Sequence, residues 1–132
     1  MRAELTIEIE RTPEDVFDYL TDVANLPAWQ AGVHGATRRD GQIEESRSLL
    51  GREVHTTLEI VDEEAPRLFT LRSLDSPVPF SVRHELEPAD SGTRLTVIAE
   101  GDVPGFAAKL FARRAEGQFR KDFARLKKNL ES

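Results

Sequence analysis

The chain has 132 residues, a length typical of one domain, and it contains no cysteine. Hydrophobic residues make up 39% and charged residues 32%, which is the balance of an ordinary soluble protein. No apolar run approaches the roughly 18 residues needed to cross a bilayer, and the acidic, alternating N-terminus is unlike a signal peptide. We therefore expect a single cytoplasmic domain over residues 1–132, without disulfides, thiolate nucleophiles or thiolate metal sites.

The net charge of −6 is distributed unevenly along the chain. Residues 106–132 carry eight basic and three acidic side chains, a charge of +5, so that residues 1–105 carry −11. This basic segment fits the solvated face of an amphipathic helix, and it also fits a surface for an acidic protein, RNA or membrane. We expect the solvated face, with no nucleic-acid partner and no membrane span.

The N-terminal third begins with a strand and two short helices. Residues 4–10 alternate between apolar and polar side chains, which predicts a half-buried strand. Thr12-Pro13-Glu14-Asp15 then has the pattern of a helix start, with Thr12 as N-cap and acidic residues in the first turn. That helix should end near Asp22. Asn25 is expected to cap a second short helix that includes Trp29.

Strands and turns follow as far as Gly101. Segments bounded by glycine, proline and aspartate predict six further strands, at residues 36–40, 43–50, 53–62, 67–74, 79–87 and 93–100. Their connections have hairpin length, so the sheet should be antiparallel from the second strand onward. Strands that are segregated from helices favour the α+β class.

The C-terminal segment predicts one long helix with a graded apolar stripe. The stripe repeats every three or four residues and consists of Ala108, Ala112, Ala115, Phe119, Phe123, Leu126 and Leu130. Its alanine half leaves volume for a pocket, whereas its Phe and Leu half anchors the helix. Phe106 and Leu110 fall off the stripe, and a kink at Gly117 would bring them back toward the pocket.

Four segments, in this order and spacing, carry a resemblance to a known family: Ile9–Phe17, Asp22–Trp29, Leu86–Leu95 and Leu126–Glu131. They resemble the polyketide cyclase/dehydrase and lipid-transport-like family of the START-like superfamily, over nearly the whole chain. The resemblance implies a helix-grip fold, in which a curved seven-stranded antiparallel sheet wraps the C-terminal helix and encloses an apolar cavity. Two short helices then lie between the first and second strands. The resemblance carries over no catalytic residue.

Alternation within the strands gives a candidate lining for that cavity. The clearest strand is residues 79–87, where Phe80, Val82, His84 and Leu86 share one side. The residues that we expect to contact a ligand are Trp29, Leu58, Phe69, Leu71, Phe80, Val82, His84, Leu95, Val97, Ala112, Ala115 and Phe119.

Two of these residues have more than one interpretation. His84 could bond a ligand oxygen or transfer a proton in an aldol-type cyclisation, but as a lone histidine it is more often satisfied by a backbone carbonyl or water. Trp29 could stack on a ligand at the cavity entrance or fill the core. Arg47 and Arg72 would reach the cavity only if their strands had the opposite parity.

Other chemistries lack the required spacing. His34, His55 and His84 lie in separate segments without a metal-ligand motif, so neither a metal nor another cofactor is expected. No glycine-rich phosphate loop is present. The acidic pairs Glu44-Glu45 and Glu63-Glu64 are interpreted as solvated charge, because neighbours on a strand point to opposite sides.

Three functions remain open on this reasoning. The first is binding of a small, largely apolar molecule of lipid, polyketide or aromatic type between the sheet and the C-terminal helix, by a monomer or homodimer. The second is a cyclase or dehydratase in the same cavity, with His84 as its acid or base. The third is an interaction module that uses the basic back of the helix. We expect the first.

Overall fold

The computed structural model describes residues 2–49, 51–76, 78–101, 105 and 108–132. One strand, two short helices, six strands and one long helix follow each other along the chain. They are β1 (Arg2–Ile9), α1 (Pro13–Thr21), a 3-10 turn (Val23–Asn25), α2 (Leu26–Trp29), β2 (Val33–Arg39), β3 (Gln42–Leu49), β4 (Arg52–Glu64), β5 (Leu68–Ser73), β6 (Phe80–Ala89), β7 (Gly92–Gly101) and α3 (Ala108–Glu131).

The seven strands form one curved antiparallel sheet in the order β1-β7-β6-β5-β4-β3-β2. Consecutive strands from β2 to β7 pair as hairpins, and β1 pairs with β7 at one edge of the sheet. This arrangement confirms the α+β class, the helix-grip fold and the antiparallel sheet that the sequence predicts. Directly opposite residues share a face of the sheet, so the register identifies the side chains that point toward α3.

The hydrophobic core lies between that inner face, the short helices and the second half of α3. Its buried members are Ile9, Val16, Phe17, Leu20, Leu26, Trp29, Val33, Ile43, Leu58, Phe69, Leu86, Leu95, Val97, Phe123, Leu126 and Leu130. This set includes inward-facing residues of the strands and residues of the apolar stripe of α3, because each element turns one apolar face toward the same interior.

The start of α1 is the one that the sequence predicts. Thr12 is extended, and its Oγ1 accepts a hydrogen bond from the Asp15 backbone N at 3.2 Å. Pro13 occupies the first helical position, where the missing N–H leaves no bond unmade. The helix ends at Thr21, next to the predicted Asp22.

Asn25 is the N-cap residue of α2, as the sequence predicts, but its side chain makes no capping hydrogen bond. Asn25 precedes α2, but its Nδ2 donates to the Tyr19 carbonyl at 3.2 Å instead of accepting a bond from the helix. Asp22 supplies the cap one turn earlier, because its Oδ1 accepts from the Ala24 backbone N at 3.0 Å. Asp22 therefore caps the 3-10 turn, whereas the Asn25 side chain bonds back to α1.

The second strand begins earlier than its sequence indicates. Although Gly32 and Gly35 favour a loop, Val33 is buried and pairs with Arg47, and an irregularity in register lies between Val33 and Gly35. Burial of a β-branched side chain in the core outweighs the turn preference of its glycine neighbours. The strand therefore extends three residues beyond its predicted start.

The C-terminal end of α3 is tied to the loop that follows β1. Arg11 Nη1 donates to the Leu130 carbonyl at 2.8 Å, and Glu131 Oε2 accepts from the Glu10 backbone N at 2.9 Å. The helix continues without interruption through Gly117, and the predicted kink there stays a prediction. Leu110 is 70% exposed, and Phe106 lies outside the described residues.

None of the helices in the described part of the chain is both long and apolar enough to span a membrane.

Candidate functional site

One row of inward-facing apolar side chains stays partly exposed to solvent. Ile60, Leu71, Val82 and Ala99 lie side by side on β4, β5, β6 and β7, since each is the register partner of the next. All four are partly exposed, as is Phe80 beside them. Ile60, Leu71 and Val82 pack against the core, yet each keeps part of its surface exposed. We call Ile60, Leu71, Val82 and Ala99 the open row.

The first half of α3 has matching exposure. Ala112, Ala115 and Phe119 are partly exposed, whereas Phe123 is buried against the sheet. The C-terminal end of α3 is fixed beside the end of β1, and Phe123 in the middle of the helix touches His84 on β6. From these two points we infer that the N-terminal half of α3 runs toward the residues that precede His84 on β6. The small alanine side chains therefore lie on the part of the helix that extends toward the open row. The side chain of Ala108 lies outside the described set.

Four rings from α3, α2 and β6 form an aromatic cluster, namely Phe119, Phe123, Trp29 and His84. Phe123 packs against Trp29 at 5.0 Å between ring centroids, against Phe119 at 5.1 Å and against His84 at 5.9 Å. Trp29 is only 1% exposed, so it is a core residue rather than a rim residue. Its Nε1 is nevertheless buried without a hydrogen-bond partner among the described residues.

His84 is buried and electrically neutral. Its side chain is 3% exposed, and Nδ1 lies 2.8 Å from the Phe69 carbonyl. A carbonyl can only accept, so Nδ1 carries the proton and Nε2 is left as an acceptor. Burial lowers the pKa of His84 to about 4, against a smaller opposing effect of the bond to Phe69. The backbone-carbonyl interpretation of His84 is therefore correct for Nδ1.

The inner face of β3 carries two charged residues. Ile43 is buried, and the period of two places Glu45 and Arg47 on the same side. The Glu45 side chain is 1% exposed, and burial raises its pKa while Arg47 opposes that shift. Arg47 Nη2 lies 2.7 Å from Glu45 Oε1 and donates to Gln30 Oε1 at 3.1 Å.

The orientation of the strands tests the predictions made for the acidic pairs and for the two arginines. The prediction that both members of Glu44-Glu45 are solvated is wrong for Glu45, because Ile43 fixes the parity of the strand. Glu44 is exposed, as are Glu63 and Glu64. Of the two arginines considered, Arg47 faces inward, whereas Arg72 faces outward and pairs with Glu59 at 2.9 Å.

Asp122 on α3 completes this group. Its Oδ1 accepts from the Ala31 backbone N at 3.3 Å and from Gln118 Nε2 at 2.7 Å. Burial raises the pKa of Asp122, and its hydrogen bonds, Arg125 and Arg47 oppose that shift. Gln30, Glu45, Arg47 and Asp122 thus surround one edge of the interior, where β3 approaches α2 and α3. We call these four residues the polar cluster.

The predicted lining residues fall into two groups. Trp29, Leu58, Phe69, His84, Leu95 and Val97 belong to the closed core and the aromatic cluster, where packing accounts for their burial. Leu71, Phe80, Val82, Ala112, Ala115 and Phe119 lie at the partly exposed end. Ligand contact by either group stays a prediction. Sequence reasoning missed the polar cluster, although the single β-branched residue of β3, Ile43, indicates which side of that strand is buried.

The outer face of the sheet carries two pairs of serine and histidine side chains. A shallow groove of about 510 Å³ lies on β2, β3 and β4, and it contains Ser46, whose Oγ lies 3.0 Å from His55 Nδ1. His34 and Ser48 make a similar exposed pair at 2.6 Å. In the part of the chain that the structure describes, no carboxylate bonds either imidazole, and no three His, Asp or Glu side chains could hold a metal ion.

A curved antiparallel sheet closed on a long C-terminal helix, with an apolar interior, defines a START-like helix-grip protein. More specifically, the chain belongs to the Polyketide cyclase / dehydrase and lipid transport family, whose sequence profile matches residues 1–131. No curated protein sequence matches the chain. Family and fold are consistent with binding of a hydrophobic ligand or with cyclase-like chemistry.

Several solved structures have the same fold. A conserved protein from Geobacillus kaustophilus is 18% identical with a TM-score of 0.83, and 98% of this chain and 95% of that chain are covered. A START superfamily protein from Mycobacterium smegmatis is 15% identical with a TM-score of 0.79 and 98% coverage of both chains. The di-domain ARO/CYC BexL from the BE-7585A biosynthetic pathway is 22% identical with a TM-score of 0.78, covering 99% of this chain and 46% of that one. At these identities the likeness concerns the fold.

Proposed function

We propose that this protein binds a small, largely apolar molecule between the open row and the N-terminal half of α3. The observation that carries the proposal is the partial exposure of Ile60, Leu71, Val82 and Ala99, which face the interior of the fold yet are not fully buried by its core. Apolar surface that is held on a concave face gains free energy when a ligand removes it from water. Each 100 Å² of such surface contributes about 2.5 kcal/mol.

Desolvation would supply most of the affinity, and two ring nitrogens would orient the ligand. His84 Nε2 is an acceptor, because Nδ1 donates to Phe69. Trp29 Nε1 is a donor without a partner among the described residues. Both rings pack on Phe123, so a ligand that reaches the aromatic cluster meets one donor and one acceptor on apolar walls.

The geometry gives less support to the two other functions. A cyclase that used His84 as its general acid would need a protonated imidazole near neutral pH, whereas the pKa of His84 is lowered to about 4 by burial. An interaction module on the basic back of α3 would use exposed residues such as Arg113, Arg114 and Lys121. Nothing in their surroundings points to a particular partner, so we propose neither function.

Filling the pocket from the helix side tests the proposal. The probe is N-phenyl-1-naphthylamine, a neutral apolar dye whose fluorescence rises when it leaves water. Ala112→Leu and Ala115→Leu should each weaken its binding at least about tenfold, because the added side chains occupy the space above the open row. Ala124→Leu is the matched control, since Ala124 is exposed on the opposite side of the same helix; it should bind the dye like the wild type.

The same titrations can overturn the proposal. If the wild type leaves the dye unbound, or if both pocket variants bind it as tightly as the Ala124→Leu control, the site between sheet and helix is wrong. Mass spectrometry of the denatured protein, purified from its host, would in addition identify a ligand that is retained during purification.

A further inference from the structure

The open row is a continuous strip of apolar surface that runs across the strands. Ile60 pairs with Leu71, Leu71 pairs with Val82, and Val82 pairs with Ala99. Each of them is partly exposed, so no buried side chain interrupts the strip. Neighbouring strands lie about 4.8 Å apart, and the steps from β4 to β7 therefore give the strip a length of roughly 14 Å.

Along the strands the exposed surface is much narrower. Two residues further along β5, β6 and β7, which is about 6.6 Å away, the same face carries buried side chains. They are Phe69, His84 and Val97, which are 2%, 3% and 0% exposed. On the opposite side of the row, Leu58 on β4 is buried, whereas Ser73 and Phe80 are partly exposed. The apolar surface therefore extends further across the strands than along them.

The strip is also bounded at both of its ends. Beyond Ala99, the next residue in register is Ala3 on β1, which shares the same face and is only 7% exposed. At the other end, the backbone N of Ile60 donates to the carbonyl of Gly41 at 2.9 Å. Ile60 therefore borders the exposed turn between β2 and β3, where the sheet surface ends. A molecule that lies on the strip has a limited length over which it can make apolar contact.

We propose that the site selects a short, elongated apolar molecule that lies across the strands, with its long axis along the open row. This inference rests on the proposed function and adds the class of ligand. The strip accommodates a molecule of up to about 14 Å, such as three fused rings or a chain of about ten carbons. A long-chain lipid would extend past one end of the strip and leave the rest of its chain without apolar contact.

A series of 1-alkanols, from 1-hexanol to 1-tetradecanol, measures this limit. Each alcohol is titrated into the wild-type protein by isothermal titration calorimetry. Burial of one more methylene group should lower the dissociation constant about fourfold, for as long as the chain still gains contact with the strip. The dissociation constant should level off at about ten carbons, because further methylene groups stay in water. A dissociation constant that keeps falling through 1-tetradecanol would overturn the inference.

Variants at the two ends of the strip test the direction in which the chain lies. Ala99→Leu fills about one strand spacing at the β7 end, so levelling off should move to about seven carbons. Thr96→Leu is the matched control, because Thr96 faces outward from the same strand, and it should leave the limit unchanged. Ile60→Phe shortens the strip from the β4 end and provides a second test if Ala99→Leu does not fold.

The outcomes separate this inference from the proposed function. If the folded end variants level off at the same chain length as the wild type, the ligand does not lie along the open row and the inference is refuted. If N-phenyl-1-naphthylamine binds the wild type but the alcohols show no length limit, this inference fails and the proposed function stands. Failure of the dye itself to bind the wild type would refute the proposed function.

Discussion

Burial of His84 should make the protein sensitive to mild acid, and the size of the effect can be worked out. The ordinary pKa of histidine is 6.5, and burial lowers the pKa of His84 to about 4. Between these two values the unfolded chain binds a proton that the folded chain does not, so protonation favours unfolding as the pH falls. The stabilisation is therefore complete above pH 6.5 and is lost progressively as the pH falls toward 4.

The magnitude follows from linkage. A difference of this size in pKa corresponds to about 2 kcal/mol lost at pH 5 and about 3 kcal/mol lost at pH 4, relative to pH 8. For a domain of this size the total free energy of unfolding is on the order of 10 kcal/mol, so the loss at pH 4 is a substantial part of the total. Other groups titrate in the same range, and a difference measurement removes their contribution.

Urea unfolding at a series of pH values, for the wild type, His84→Asn and His84→Phe, isolates the contribution of the imidazole. Both variants lose the bond to Phe69 and should be less stable at pH 8, by different amounts because their shapes differ. Neither side chain titrates, so the free energy of unfolding of both variants should show the same pH dependence. Between pH 8 and pH 4 each variant should lose about 3 kcal/mol less than the wild type loses. Parallel curves for all three proteins would show that the imidazole is not desolvated in the fold.

Two further predictions concern the packing of the fold, and both are measured as the free energy of unfolding in urea. Gly92→Ala should destabilise the protein by about 2 kcal/mol or more, because φ is 144° and the added Cβ would lie 2.5 Å from the Ile9 carbonyl oxygen. Gly41→Ala is the control, since Gly41 also has a positive φ but has open space around it, and it should cost less. An equal cost at the two positions would contradict the steric explanation. Leu126→Ala should cost about 2–5 kcal/mol, since Leu126 is 0% exposed, whereas exposed Leu110→Ala should stay within about 0.5 kcal/mol. Similar losses at the two leucines would show that the stripe of α3 is assigned incorrectly.

The architecture could be predicted because its sequence signals repeat. The alternation of residues 4–10 and the stripe from Phe119 to Leu130 each contain several apolar residues at one period, so a single exception does not alter the result. The start of α1 was equally clear, because Thr12 and Pro13 have a specific stereochemical role at a helix N-terminus. Boundaries were less predictable, as at Val33, where burial of one side chain extends a strand into a glycine-rich turn.

The polar part of the site was missed for a different reason. Strand β3 carries polar residues on both sides, so alternation alone does not show which side is buried, and adjacent Glu44 and Glu45 look identical in the sequence. Their environments nevertheless differ completely, because Ile43 is anchored in the core and Glu45 shares its side of the sheet. The burial of Asp122 was likewise hidden, since it lies beside the apolar stripe of α3 and faces the backbone of Ala31 only in the folded chain.

One physical cause connects the two titratable groups of the interior and bears on the kind of ligand it can hold. Burial lowers the pKa of the base His84 and raises the pKa of the acid Glu45, and in both residues it does so by disfavouring the charged form. An interior that disfavours charge on its own side chains also disfavours charge on a guest, unless that guest brings a matching counter-charge. The one arginine that faces inward from β3 is already occupied by Glu45 and Gln30. A neutral ligand would therefore meet a lower desolvation cost in this interior than a carboxylate of the same size.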